Sequence, residues 1–154
     1  MAHLKDLAEF RKNIIAPVAG SEALGTALWY RDALALDAID YMHYDLGWIG
    51  GISEAIKISG IAHANNRMMC PHDCTGPIVW IANLHISLAF SSSMILESVR
   101  SYYNGFYKNL VNNLPRIDKG LAFPMDGVGL GTDLQDSLLK STNTIIRKTT
   151  KNDL

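Results

Sequence analysis

The sequence predicts an α/β fold made of repeated strand–helix units, wound as a parallel sheet or as part of a (β/α) barrel. Three observations carry this. Short apolar or β-branched runs alternate with longer helix-forming runs, and the unit recurs about every 25 residues. The strand candidates are continuously apolar rather than alternating, as strands covered on both faces are.

The elements follow in order. Asn13-Ile14-Ile15-Ala16-Pro17-Val18-Ala19 reads as a strand closed by Gly20. A helix over Ala23–Leu36 is predicted by Leu24, Leu28, Ala33, Leu34 and Leu36 among good helix formers. Ala38–Tyr44 is a second strand, closed by Gly47 and the Gly50-Gly51 pair. Ser53 is placed as the N-cap of a helix with Glu54 in its first turn and Ile56, Ile58, Ile61 and Ala62 along it; Asn65-Asn66 stops it. Arg67–Cys70 is a third strand, Pro77–Ala89 a third helix and Met94–Leu96 a short fourth strand. A last helix is expected over Val99–Leu114, ending before Pro115. Residues 1–114 thus form one strand–helix region. Residues 115–154, with Gly120, Pro124, Gly127, Gly129 and Gly131, form a loop-rich segment and tail.

Composition excludes several classes of function. The 154 residues are 48% hydrophobic, enough for one sizeable core. Fourteen Lys and Arg against fifteen Asp and Glu leave a net charge of -1, so no basic field exists for nucleic acid. Asn83 and His85 interrupt the longest apolar stretch, Ile78–Phe90, and a membrane partner is not expected. The charged start, with Lys5, Asp6, Glu9, Arg11 and Lys12, is unlike a signal peptide. Two cysteines are too few for a disulfide scaffold, and the chain reads as cytoplasmic.

Glu22, Asp45, His72 and Glu97 each follow a strand candidate, at spacings of 23, 27 and 25 residues. In a (β/α) barrel such positions open into one mouth at the C-terminal ends of the strands. Three carboxylates and a histidine there suit metal binding with proton transfer, and an aspartate beside a histidine fixes its tautomer. Each acid taken alone is as well explained as a helix cap or a solvated loop residue. Weaker signals surround them. Cys70-Pro71-His72-Asp73-Cys74 matches no usual structural zinc spacing. Gly50-Gly51 serves either a tight turn or an anion at a helix N-terminus. His3, His43 and His63 have no partner identifiable from sequence, and Trp48 is placed to line a pocket.

Five stretches resemble one family. Pro17-Val18-Ala19-Gly20-Ser21-Glu22 is similar to a fifth barrel strand ending in a metal-binding Glu. Asp45-Leu46-Gly47-Trp48-Ile49-Gly50-Gly51-Ile52-Ser53-Glu54 resembles a sixth-strand D-x-x-x-x-G-G-[IV]-[TS]-E signature. Cys70-Pro71-His72-Asp73-Cys74-Thr75-Gly76-Pro77 is similar to a seventh-strand P-H segment, and Ile95-Leu96-Glu97 to an eighth-strand segment usually written with Gln-Glu. Pro124–Leu134 resembles a glycine-rich stretch near the C-terminus. The family is the enolase superfamily, in its mandelate racemase-like branch and especially its acid-sugar dehydratases.

The resemblance implies the C-terminal half of a TIM-type barrel, with the capping domain and the first half absent. It implies Glu22 as one of three carboxylates on Mg²⁺, the other two lying outside this chain. It implies His72 as a general acid/base oriented by Asp45, with Glu97 hydrogen-bonding the substrate carboxylate. The implied reaction removes the proton α to the carboxylate of a sugar acid and eliminates water. Expected partners are a sugar-acid substrate and either a complementing N-terminal half or a second copy closing the barrel. The alternatives are a non-catalytic remnant or interaction module, and half of an epimerase on the same barrel.

Overall fold

A computed structural model describes residues 3–23 and 25–151. Leu24, counted above on the apolar face of a helix, and residues 152–154 of the tail lie outside the described residues.

The charged start forms helix α1, Leu4–Lys12. Leu4, Leu7 and Ala8 recur at helical spacing and face the core, while Asp6 and the terminal Arg11 and Lys12 complement the helix dipole. Next come β1 (Ala19–Gly20), α2 (Ala27–Ala35) and β2 (Tyr41–Met42). A short α3 (Leu46–Ile49) precedes α4 (Ile52–Ala64), and then β3 (Met68–Met69) and α5 (Pro77–Ala89). β1, β2 and β3 are parallel in that order, with Ala19 opposite Tyr41 and Tyr41 opposite Met68. Each parallel step crosses over through a helix, as parallel strands require. This is a mixed α/β architecture, a partial TIM-type barrel.

The expected cap of α4 needs correction. Gly51 (φ 89°), not Ser53, stands at the N-cap, and Gly50 (φ 106°) ends α3 in the left-handed conformation. The pair therefore turns one helix directly into the next, a backbone path that only glycine follows cheaply. Glu54 is used elsewhere: its Oε1 accepts the N–H of Ala27 at 2.7 Å, so a residue of α4 caps α2. Lys57, and then that N–H, hold the Glu54 carboxyl below its usual range.

The fourth strand shrinks to one parallel bridge, Met69 with Ser93. Backbone bonds still run along it, from Met94 N–H to Met69 C=O (3.0 Å) and from Glu97 N–H to Pro71 C=O (3.0 Å). Among the described residues no strand pairs with its other edge, and Met94 and Ile95 stay exposed. The last helix is also shorter than expected. α6 covers Arg100–Asn104, and a 3₁₀ turn over Phe106–Asn109 follows. Gly105 breaks it, because a Cβ there would sit 2.5 Å from the Ser101 carbonyl oxygen.

Beyond Pro115 the chain is more ordered than its glycines imply. β4 (Ile117–Asp118) and β5 (Leu121–Ala122) form a hairpin across Lys119 (φ 50°) and Gly120 (φ 81°), both left-handed as a type I′ turn demands. A short α7 follows at Asp136–Leu139. Gln135 donates to the carbonyls of Lys108 and Val111, tying this segment back. Tyr30, Ile39, Met42, Tyr44, Ile58 and Met69 make the main core between sheet and helices. Trp80, Ile81 and Tyr107 make a second one.

Ions close the N-terminal ends of the strands. Arg11 Nε and Nη2 donate to the two oxygens of Asp40 (3.0 and 2.6 Å), and its Nη1 donates to Asp37 (2.6 Å). Arg67 reaches the same two acids. Asp40 also accepts the Val18 N–H at 2.8 Å, so one carboxylate joins α1, the entry to β1 and the entry to β2. The hydrogen bond from Arg11 holds the Asp40 carboxyl below its ordinary range. A depressed folded pKa gives stability above the unfolded pKa that is lost as pH falls through the folded one. Arg11→Ala should therefore cost about 1–2 kcal/mol at neutral pH. In urea titrations that deficit should shrink once the pH is low enough to protonate Asp40.

Candidate functional site

The parallel ladder decides what meets at the other end of the strands. His43 N–H donates to the Gly20 carbonyl (2.9 Å) and His72 N–H to the Tyr44 carbonyl (2.8 Å). With the Glu97 bond to Pro71 added, the residues just past each strand are held side by side. Glu22, His43, Asp45, His72 and Glu97 gather there.

Asp45 is fully buried and caps α3. Its Oδ1 accepts the Gly47 N–H (2.7 Å), Thr75 Oγ1 bonds both of its oxygens (3.0 Å), and its Oδ2 lies 2.7 Å from His72 Nδ1. A carboxylate withdrawn from water needs donors of this kind to offset its desolvation. His72 is in turn fixed at its backbone, where its carbonyl accepts Asn83 Nδ2 at 2.9 Å. The Trp48 ring lies beside the imidazole, with centroids 5.7 Å apart. His72 is thus held by ring and backbone at once.

Glu97 is held differently. Its Oε2 lies 2.7 Å from His43 Nε2, while Glu22 Oε2 stands 3.9 Å from His43 Nδ1. The two imidazoles meet edge to face, 5.2 Å between centroids. Two carboxylate–histidine pairs, Asp45–His72 and Glu97–His43, therefore share one face, with Glu22 beside the second. His43 escaped sequence reasoning for want of an identifiable partner. The signal was its position two residues before Asp45, which puts both side chains on one face of the extended chain.

Asp73, next to His72, is buried and points the other way. It accepts the Val99 N–H (3.0 Å) and the Tyr107 hydroxyl (2.8 Å), anchoring the segment that carries Glu97. Burial pushes its carboxyl up, against the pull of those two donors. Cys74 Sγ approaches His72 Nδ1 at 4.0 Å, whereas Cys70, directly after β3, is half-buried. Partial desolvation and the surrounding carboxylates push the Cys74 thiol up. The glycine pair serves the turn between α3 and α4, and Gly51 carries positive φ with open space around it.

A hard divalent cation needs several oxygens. The oxygens of Asp45 are taken by Gly47, Thr75 and His72, and Glu97 is taken by His43. Glu22 is the one acid of this face not engaged at hydrogen-bond distance, so these residues alone do not form a Mg²⁺ centre. Truncating the buried acid should be costly: Asp45→Ala leaves three sets of donors unmet. It should lower stability by about 2–4 kcal/mol, against about 1 kcal/mol for Thr75→Val, in urea unfolding.

Comparison with known proteins places this geometry. Residues 1–138 match the family model described as enolase C-terminal domain-like. The arabinonate dehydratase of Saccharolobus solfataricus is 29% identical over 133 residues, covering 86% of this chain and 35% of that protein. The D-galactonate dehydratase of Verminephrobacter eiseniae is 29% identical, over 80% of this chain and 34% of that protein. An enolase from Sargasso Sea environmental sequencing superposes with a TM-score of 0.88 at 34% identity, over 97% of this chain and 40% of that one. A mandelate racemase subgroup enolase from Agrobacterium tumefaciens gives 0.82 at 36% identity, over 89% and 37%. The chain thus spans little more than a third of the relatives it matches. The matched family model and the parallel strand ends that carry Asp45, His72 and Glu97 agree: this chain belongs to the enolase superfamily and corresponds to the C-terminal part of its mandelate racemase-like members.

Proposed function

We propose that this chain supplies the acid/base half of an acid-sugar dehydratase. The observation that carries the proposal is the 2.7 Å contact between His72 Nδ1 and a fully buried Asp45. With its Nδ1 proton shared with Asp45, the ring presents Nε2 as the working nitrogen. Neutral Nε2 takes the proton from the carbon next to the substrate carboxylate. The resulting imidazolium returns it to the β-hydroxyl, which leaves as water, and the enol so formed relaxes to a 2-oxo-3-deoxy acid. The ring ends as it began. Asp45 stabilises the imidazolium meanwhile, and Trp48 shields the ring. His43 holds Glu97 by its Oε2, and the other oxygen of that carboxyl would hydrogen-bond the substrate carboxylate as charge builds there.

The dehydratase names of the curated relatives support this substrate class. Enolase superfamily members generally bind Mg²⁺, which stabilises an enediolate when present. Glu22 would be one ligand of it, and the others would come from a complementing N-terminal half. A second copy is less suitable, because beyond another Glu22 it would bring only carboxylates already engaged by histidines.

The test is a chimera in which this chain replaces the matching segment of the Saccharolobus solfataricus arabinonate dehydratase. Sugar acids should be converted to 2-oxo-3-deoxy acids, and His72→Asn should slow the conversion by about 10²–10⁴-fold. A folded chimera without turnover, or one indifferent to His72→Asn, would sink the reading. Solvent exchange of the α-proton without loss of water would point to an epimerase instead.

A further inference from the structure

We propose that this face also holds a thiophilic divalent cation, Zn²⁺, on Asp45 Oδ2, His72 Nδ1 and Cys74 Sγ. The site stands apart from the dehydratase reading and works against it, since the cation takes the place of the proton between His72 and Asp45.

Geometry comes first. One ligand atom from each of the three residues lies within 4.8 Å of the other two. The nitrogen is 2.7 Å from the oxygen and 4.0 Å from the sulfur. Tetrahedral zinc with bonds of about 2.0 Å to N and O and about 2.3 Å to S sets its ligands about 3.3–3.5 Å apart. The sulfur must therefore close in, and the histidine and aspartate must part, each by roughly half an ångström. The freedom exists where it is needed: Cys74 is exposed and sits in the loop between β3 and α5. The rigid partner is Asp45, whose Oδ1 is held by Gly47 N–H and Thr75 Oγ1; that hydroxyl also lies 3.0 Å from Oδ2 and would stay on Oδ1 with a cation bound, and such outer bonds orient a metal ligand.

Chemistry selects the ion. Oxygen, nitrogen and sulfur together form a borderline-soft set that suits Zn²⁺ and is poor for Mg²⁺ or Ca²⁺. Charge attracts it as well. The ion pairs of Glu22, Asp45 and Glu97 are all with histidines, so no Lys or Arg neutralises these acids. Three protein ligands leave a fourth position for water. Cys70, which pairs with Cys74 in the sequence pattern, is not among the three.

Binding releases the thiol proton, while the imidazole proton moves from Nδ1 to Nε2 so that the ring stays neutral, and it involves no oxidation. The experiment titrates the full chain with Co²⁺ as a spectroscopic stand-in, then displaces it with Zn²⁺ under competition from a chromophoric chelator. One ion per chain is expected, with a near-ultraviolet thiolate-to-cobalt charge-transfer band, unaffected by excess Mg²⁺. Cys74→Ser should abolish the band and weaken Zn²⁺ at least about tenfold, and His72→Gln should weaken Zn²⁺ similarly. Cys70→Ser should change neither. Circular dichroism confirms that each variant is folded, and Cys74, being exposed, is a benign site for Ser. A band that survives Cys74→Ser, a band lost in Cys70→Ser, or no Zn²⁺ binding above the Mg²⁺ level would overturn the proposal. None of these readouts depends on turnover, so failure here leaves the dehydratase reading untouched.

Discussion

A carboxylate withdrawn from water must be met by donors, and the whole functional end of this protein is arranged around one that is. Asp45 ends its strand, starts α3 by capping it, takes the Thr75 hydroxyl from the next strand–helix loop, and orients His72. The cap stays within Asp45's own unit of the repeat, and the bonds to Thr75 and His72 both reach the next one. The charge is thereby stabilised by the same contacts that set the separation of β2 from β3 at their C-terminal ends. Other polar groups at this end depend on that frame: the Asn83 amide reaches the His72 carbonyl, and Asp73 ties the following segment to Val99 and Tyr107.

The two ends of the parallel strands divide the work by choice of cation. At the N-terminal ends the partners of the acids are Arg11, which grips Asp40 through two parallel contacts, and Arg67, which reaches Asp37 and Asp40 with one nitrogen each. At the C-terminal ends the partners are His43 and His72, whose imidazole nitrogens lie 2.7 Å from Glu97 and Asp45. Carboxylates alone would look alike at both ends. Their partners separate an arginine clasp at one end from carboxylate–histidine pairs at the other, the end where a (β/α) barrel carries its chemistry.

How far the sequence could be read depended on whether the deciding interaction was local. Helix α5 runs over Pro77–Ala89, the boundaries read from proline at its start and the apolar run that follows. The three parallel strands fall within or beside their predicted stretches, because a buried strand needs an apolar run and little else. Where a distant atom decides, the reading slipped. α4 begins at a glycine, not at Ser53, because α3 ends at Gly50 and the chain turns straight into the next helix. The last helix stops at Gly105 because a carbonyl four residues earlier leaves no room for a side chain. The fourth strand is reduced to a bridge because it is paired on one side. The Lys119–Gly120 hairpin was overlooked because a lysine seldom accepts a left-handed backbone.

The α/β class, the repeat length and the placing of Glu22, Asp45, His72 and Glu97 at equivalent points of the repeat are legible along the chain, since all of these follow from apolar periodicity. Only the tertiary structure decided which of them touch. It gave His72 to Asp45, tied Glu97 to His43 and set Cys74, not Cys70, beside the imidazole. Periodicity specifies the face on which a side chain stands, whereas hydrogen bonds of 2.7 Å depend on strand register and loop path, which arise only when separate units pack together.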